Sequence, residues 1–178
     1  MLKIIESNEY NNKLIEMSKS SSKVSGLKLR ETHYQIGKEI AKAILNSHED
    51  KFFSVLIVMR AGLFIGLGIA NQLDFAGRLS NISFEYENKQ QLYPTIIVDA
   101  VIHTGNTIKK LLSSIPSKKI IATSVISSKA VDLFSNHNLF TMRVSKNHYK
   151  GSYETTIIDG KGPDTGERLF NSFFFSKK

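Results

Sequence analysis

Apolar positions recur with a helical period in the first third of the chain and change, near residue 53, to short β-branched runs. Residues 9–19 carry Tyr10, Leu14, Ile15 and Met17, a weakly amphipathic helix, and the polar stretch Ser18, Lys19, Ser20, Ser21, Ser22 reads as a loop. Leu29, His33, Ile36, Ile40, Ala43 and Ile44 fall three and four apart, which puts them on one face of a helix over residues 28–45. Runs over residues 53–59, 81–86, 95–99, 119–126 and 139–144 then predict five strands, with helices at 63–73, 106–114 and 128–135 between them. Val55 to Val58 and Ile96 to Val98 are apolar at every position, as parallel strands covered on both faces require. The expected fold is α/β: a single domain over residues 1–178 with an open, mainly parallel five-stranded sheet flanked by helices.

Composition narrows the function more than the fold. No apolar run approaches the roughly 18 to 20 residues of a membrane crossing, and Glu6 interrupts the start of the chain where an export signal would be unbroken. The cytoplasm is the expected location, and no membrane partner is expected. The sequence holds no Cys, which excludes thiol nucleophiles, disulfides and iron–sulfur clusters. Its five His never stand four apart, so no zincin pair exists and no dedicated metal site is expected. The excess of 24 Lys and Arg over 16 Asp and Glu, a net charge of +8, favours anionic partners. Charge alone leaves a phosphorylated small molecule, a nucleic acid or an idle lysine-rich surface equally open.

In parallel sheets ligands gather beyond the carboxyl ends of strands. The run at 53–59 leads into Arg60, Ala61 and Gly62, and the run at 95–99 leads through Asp99 and His103 into Thr104, Gly105, Asn106 and Thr107. Two hydroxyls, a glycine and free backbone N–H groups at a helix start make a phosphate cradle, while Thr and Asn there also suit an ordinary helix cap. Asp99, ionised, would accept hydrogen bonds from vicinal hydroxyls, so the pair of features describes a ribose 5-phosphate. No P-loop occurs, and Gly66-x-Gly68 lacks a third glycine, Asn71 standing in its place. His33, on an apolar helix face, reads as a hydrogen-bonded boundary residue rather than a catalytic one.

The run Ile96-Ile97-Val98-Asp99-Ala100-Val101-Ile102-His103-Thr104-Gly105-Asn106-Thr107 resembles the phosphoribosyl-diphosphate (PRPP) motif of the type I phosphoribosyltransferases. A single acid at Asp99-Ala100 is similar to their uracil phosphoribosyltransferase branch. Leu29-Arg30-Glu31, Val58-Met59-Arg60-Ala61-Gly62-Leu63 and the tail from Ile157 through Gly162 to Asp164-Thr165-Gly166-Glu167-Arg168 resemble that branch's N-terminal segment, pyrophosphate loop and base loop in order.

The resemblance implies transfer of the phosphoribosyl group from PRPP to uracil, giving UMP and pyrophosphate. It implies that Thr104, Gly105, Asn106 and Thr107 hold the 5-phosphate, Asp99 the ribose hydroxyls, and Arg60, Ala61 and Gly62 the pyrophosphate. The base would be read by Ile157 and Gly162, with Asp164 beside it and beside the magnesium that PRPP carries. Arg60 and Asp164 are the catalytic candidates. A second copy of the chain is the expected protein partner, Phe173 to Phe175 packing either on the core or across that contact. Departures from the branch are a short segment at 87–94 where it has a longer hood, Thr156 in place of an aromatic, Asp159 in place of a proline, and an extra Pro163. They keep two alternatives open: another base, or a weakly catalytic PRPP or nucleotide sensor that binds RNA. His103, where the branch has a small residue, reads as an exposed side chain rather than a phosphate donor.

Overall fold

The β-branched runs do form strands, and the periodic segments do form helices. A computed structural model of the chain describes residues 1–87, 92–146 and 163–172. In order they form β1 (Leu2–Ile4), α1 (Glu9–Ser18), α2 (Gly26–Leu45), β2 (Phe53–Ile57), α3 (Leu63–Phe75), β3 (Leu79–Phe84), β4 (Thr95–Ile102), α4 (Asn106–Ser114), β5 (Lys119–Ser127), β6 (Asn138–Ser145) and α5 (Thr165–Phe170). One sheet contains all the strands in the order β1-β6-β5-β4-β2-β3.

The sheet has six strands rather than the expected five, and every pairing is parallel. The extra strand is β1, whose three residues pair with β6 from Leu2 opposite Leu139 to Ile4 opposite Thr141. Three residues are too few to display a period of two, so only its partner identifies it. The helix expected at 128–135 is instead a pair of 3-10 turns, Ser128–Ala130 and Asp132–Phe134, and a third 3-10 turn at Ser20–Ser22 occupies the expected loop. The hood segment at 87–94 falls partly, and Phe173 to Phe175 wholly, outside the described residues.

The consecutive apolar positions divide between two cores, one on each face. Val55, Ile57, Ile96, Val98, Ile120 and Ala122 meet α2 and α3 through Ile36, Ile40, Ile65 and Ile69. Leu56, Val58, Ile97 and Ile121 meet Ile108 of α4 together with Ala130 and Phe134 of the turns. Strands β2, β4 and β5 are thus buried on both sides, as their unbroken apolar runs require.

The alternation slips by one residue near the carboxyl ends of three neighbouring strands. Val98 and Val101 both pack on the α2 side, while Ile97 and Ile102, Ile121 and Ile126, and Leu139 and Val144 belong to the other side at an odd spacing of five. Beyond that slip the pairing rows run Val101–Val125–Arg143 and Ser127–Ser145. Polar side chains at these rows therefore line a cleft instead of entering the α4 core.

Gly66-x-Gly68 has a packing role. A Cβ at Gly68 would lie 2.0 Å from the carbonyl oxygen of Tyr34, and one at Gly37 would lie 2.2 Å from that of Ile65, so α2 and α3 touch backbone to backbone.

Candidate active site

The chain leaves β2 for β3 on one side and returns to β4 on the other, so the turns after β2 and β4 part toward opposite faces. Such a switch point opens a crevice at the carboxyl edge of a parallel sheet. A cleft of about 520 Å³ lies there, with Arg60, Ala61, Asp99, Thr107 and Asp164 among its lining residues. Five candidates from three separate stretches of sequence are brought together. Gly62, Thr104, Gly105 and Asn106 adjoin the cleft without lining it, and Ile157 and Gly162 lie outside the described residues.

Asp99 sits half-buried in β4 and accepts hydrogen bonds from the backbone N–H groups of Ala100 and Val101. Burial pushes its carboxyl up to about 7; the two N–H groups oppose this, and the neighbouring Glu85 charge adds to it. An acid whose pKa rises on folding makes the native state less stable as pH climbs from about 4 to about 7. For a ligand diol the sign is opposite, since only the carboxylate is acceptor-only. Affinity for PRPP, the ligand the resemblance implies, is expected to rise up to about tenfold between pH 6 and pH 8, where the ionised fraction goes from roughly one tenth to nine tenths. Calorimetric titration at both pH values tests this. Asp99→Asn should retain only the change due to the ligand's own titration, and an identical profile in the variant would remove Asp99 from ribose recognition.

The amino end of α4 is built around Gly105, which is the N-cap at φ +76° and has no side-chain cap. Neither Thr104 nor Asn106 closes the helix, so the capping alternative does not account for them. Thr104, Asn106 and Thr107 are exposed. Gly105 itself is buried, and a Cβ there would lie 2.8 Å from Cζ of Phe134.

Arg60 follows a cis Met59–Arg60 peptide and extends over the ring of Phe170 in α5, 5.7 Å from its centroid. Among the described residues it forms no ion pair. The backbone N–H of Met59 donates to the Glu85 carboxylate just beyond β3, which fixes the start of this turn. Gly62 packs behind it on the carbonyl oxygens of Val58 and Val98, which a Cβ would meet at 2.5 and 2.6 Å.

Asp164 is not simply a turn residue but the N-cap of α5. Its Oδ1 accepts from the N–H of Glu167 at 2.7 Å, and its own N–H donates to Glu167 Oε2 at 2.8 Å, a reciprocal capping box. Arg168, 2% exposed, donates to the carbonyl oxygens of Ser18, Lys19 and Val24 at 2.8 to 3.1 Å. It ties α5 to the segment between α1 and α2.

Glu85, Arg143, His33 and His103 also line the cleft, and the sequence pattern did not single them out as site residues. Glu85 and Arg143 stand at carboxyl ends of strands, so the rule that found Arg60 and Asp99 also covers them. His33 is 1% exposed, and its Nδ1 has no hydrogen-bond partner among the described residues, in contrast to the hydrogen-bonded reading. Burial, then the charge of Arg168, lowers its imidazole to about 3, so it is neutral at ordinary pH. His103 is half-buried rather than exposed, with its Nε2 unpartnered among the described residues.

Among the described residues no helix is long and apolar enough to cross a membrane, and no three His, Asp or Glu side chains could jointly hold a metal ion. No protein-family model matches this chain, and no curated protein does. Among solved structures it is similar to the AQ2163 protein from Aquifex aeolicus, 18% identical, over 96% of this chain and 98% of that one with a TM-score of 0.72. The TT1426 protein from Thermus thermophilus is 13% identical over 66% of this chain and 86% of that one, with a TM-score of 0.51. A hypoxanthine-guanine phosphoribosyltransferase from Schistosoma mansoni in complex with IMP, 18% identical over 70% of each chain, reaches a TM-score of 0.48, below the level at which a shared fold follows. The fold and cleft together define a parallel α/β protein with an open crevice at its switch point. The first of these structures shares that fold along nearly its whole length.

Proposed function

We propose that this chain transfers the 5-phosphoribosyl group of PRPP to a nucleobase and releases pyrophosphate, uracil being the base the resemblance implies and UMP the product. The observation that carries this reading is the convergence of Asp99, the uncapped amino end of α4 with Thr107, and the Arg60–Ala61 turn on one cleft. The α4 amides and dipole suit a 5-phosphate, Asp99 suits the ribose diol, and the guanidinium of Arg60 suits the diphosphate.

The C1′–oxygen bond to pyrophosphate breaks as the bond from the base nitrogen to C1′ forms, and the proton of that nitrogen passes to solvent or to the departing pyrophosphate. Charge builds on the leaving group, so a guanidinium held over Phe170 lowers the barrier by stabilising that charge. Aligning the two reactants contributes the rest. Magnesium needs only one or two protein carboxylates when phosphates supply its other oxygens, and Glu85 and Asp164, both lining the cleft, could hold it. It would neutralise diphosphate charge.

The test incubates the full chain with PRPP, magnesium and a panel of bases and reads the products by mass spectrometry. Nucleoside monophosphate with stoichiometric pyrophosphate is expected, and no nucleotide from any base would sink the proposal. Thr107→Ala is expected to weaken UMP about 10- to 150-fold and leave uridine unchanged, because a hydroxyl donating to a charged phosphate is lost. Calorimetry with both ligands checks this. Equal effects on UMP and uridine would mean that Thr107 does not meet the phosphate.

A further inference from the structure

Glu85 brings two carboxylate oxygens to the cleft, and one of them is already engaged. Its Oε2 accepts the backbone N–H of Met59, 26 residues earlier in the chain, and Met59 lines the same cleft directly before Arg60. A half-buried acid beside a turn proposed to meet a diphosphate repels that ligand, so its presence calls for a task other than charge.

The strand ladder supplies that task. Pairing of β2 with β3 runs to Ile57 opposite Phe84, and the N–H of Glu85 extends it by donating to the carbonyl oxygen of Ile57 at 3.2 Å. In a regular parallel ladder the next donor would be the N–H of Met59 and its acceptor the carbonyl oxygen of Glu85. The carboxylate takes the place of that carbonyl. Met59 thereby keeps a satisfied N–H while the chain turns out of the sheet. On the other side Val58 is tied to β4, its N–H donating to the carbonyl oxygen of Val98 at 2.9 Å. The two bonds hold consecutive residues to opposite neighbours of β2, and Arg60 comes next.

Arg60 depends on this anchorage more than a buried side chain would. It is exposed, and apart from the Phe170 ring it is the course of the backbone that decides where its guanidinium points. We infer that Glu85 is a positioning residue for the leaving group: its carboxylate fixes Met59 and, through Met59, the turn that sets Arg60 and Ala61 against the diphosphate. The inference rests on the phosphoribosyl-transfer reading and adds to it a residue that acts through another. Oε1 stays available to the magnesium considered above.

The experiment measures kcat at saturating PRPP, base and magnesium, and titrates pyrophosphate and UMP separately by calorimetry at pH 8, where Asp99 is largely ionised. It compares the wild type, Glu85→Ala, Glu85→Gln, Arg60→Ala and the Glu85→Ala/Arg60→Ala double variant, with melting temperatures measured throughout. Glu85→Ala should lower kcat and pyrophosphate affinity at least about tenfold, part of what loss of the donor itself would cost, and change UMP affinity less than about twofold. Glu85→Gln keeps an acceptor for Met59 and should bind pyrophosphate at least about fivefold more tightly than Glu85→Ala. Because both residues act through one turn, the double variant should fall no more than about threefold below Arg60→Ala in kcat, whereas independent contributions would multiply. Glu85→Leu replaces the alanine variant if the latter does not fold. Equal losses of pyrophosphate and UMP affinity, a glutamine variant no better than alanine, or multiplying losses in the double variant overturn the inference. If no base is converted, the transfer reading fails on its own, and the pyrophosphate titrations then judge the anchor. Weaker binding by each single variant with no further loss in the double supports it, and no pyrophosphate binding by the wild type refutes it.

Discussion

Gly105→Ala is expected to weaken PRPP binding by about 10- to 150-fold and to lower the melting temperature by roughly 4 to 20 °C. Two independent costs fall on one methyl group. The first is conformational: Gly105 sits at φ +76°, where an L side chain costs about 1 to 2 kcal/mol. The second is steric, because the new Cβ would stand 2.8 Å from Cζ and 3.0 Å from Cε2 of Phe134. That ring is 2% exposed and packed among Ile108, Ala130 and the β4 and β5 side chains, so it cannot yield without moving the core. Overpacking of this kind costs about 1 to 3 kcal/mol. Together they make about 2 to 5 kcal/mol, which for a chain of this length gives the stated shift at about 2 to 4 °C per kcal/mol.

The effect on binding follows from geometry. Relief of the clash would tilt the first turn of α4, and its amides would no longer converge on the phosphate proposed to bind there. Losing one hydrogen bond to a charged phosphate costs about 1.5 to 3 kcal/mol, roughly 10- to 150-fold in affinity. Adding Phe134→Leu to Gly105→Ala should recover part of the melting temperature by removing the clash, and not the part due to φ. Calorimetry and thermal melts on the two variants check both components. A Gly105→Ala protein that melts and binds PRPP like the wild type would show that this turn is neither strained nor used.

Arg60→Ala is expected to reduce kcat by about 100- to 1000-fold while changing the affinity for UMP less than twofold. UMP has no diphosphate, so it lacks the group that the guanidinium is proposed to meet. Removing one donor aimed at developing negative charge typically costs that much in rate. Arg60 is exposed and rests on Phe170, so the variant should fold, and its melting temperature serves as the control. Arg60→Lys keeps the charge and loses the planar fork, and should recover only part of the rate. Equal losses in rate and in UMP affinity would mean that Arg60 supports the site as a whole.

The sequence by itself determined the class of fold and the identity of most elements. Apolar runs such as Val55 to Val58 require burial on both faces, and the spacing of Leu29, Ile36, Ile40 and Ile44 requires one buried helix face. Both are local demands that any compact arrangement must meet. It also made Arg60, Asp99 and Thr107 candidates, because a ligand site at the carboxyl ends of parallel strands needs no knowledge of strand order.

Tertiary structure decided what depends on neighbours distant in sequence. Leu2–Ile4 is a strand only because β6 offers it an edge. Arg168 is a buried clamp only because α5 docks beside the segment between α1 and α2, whereas the Asp164–Glu167 capping box is a local pairing that the spacing of the two acids already carries. The one-residue slip shared by β4, β5 and β6 puts Arg143 in the cleft, whereas strict alternation would have directed it to the α4 core. Periodicity in one strand cannot disclose such a slip, since it becomes visible only when the cores on both faces are known.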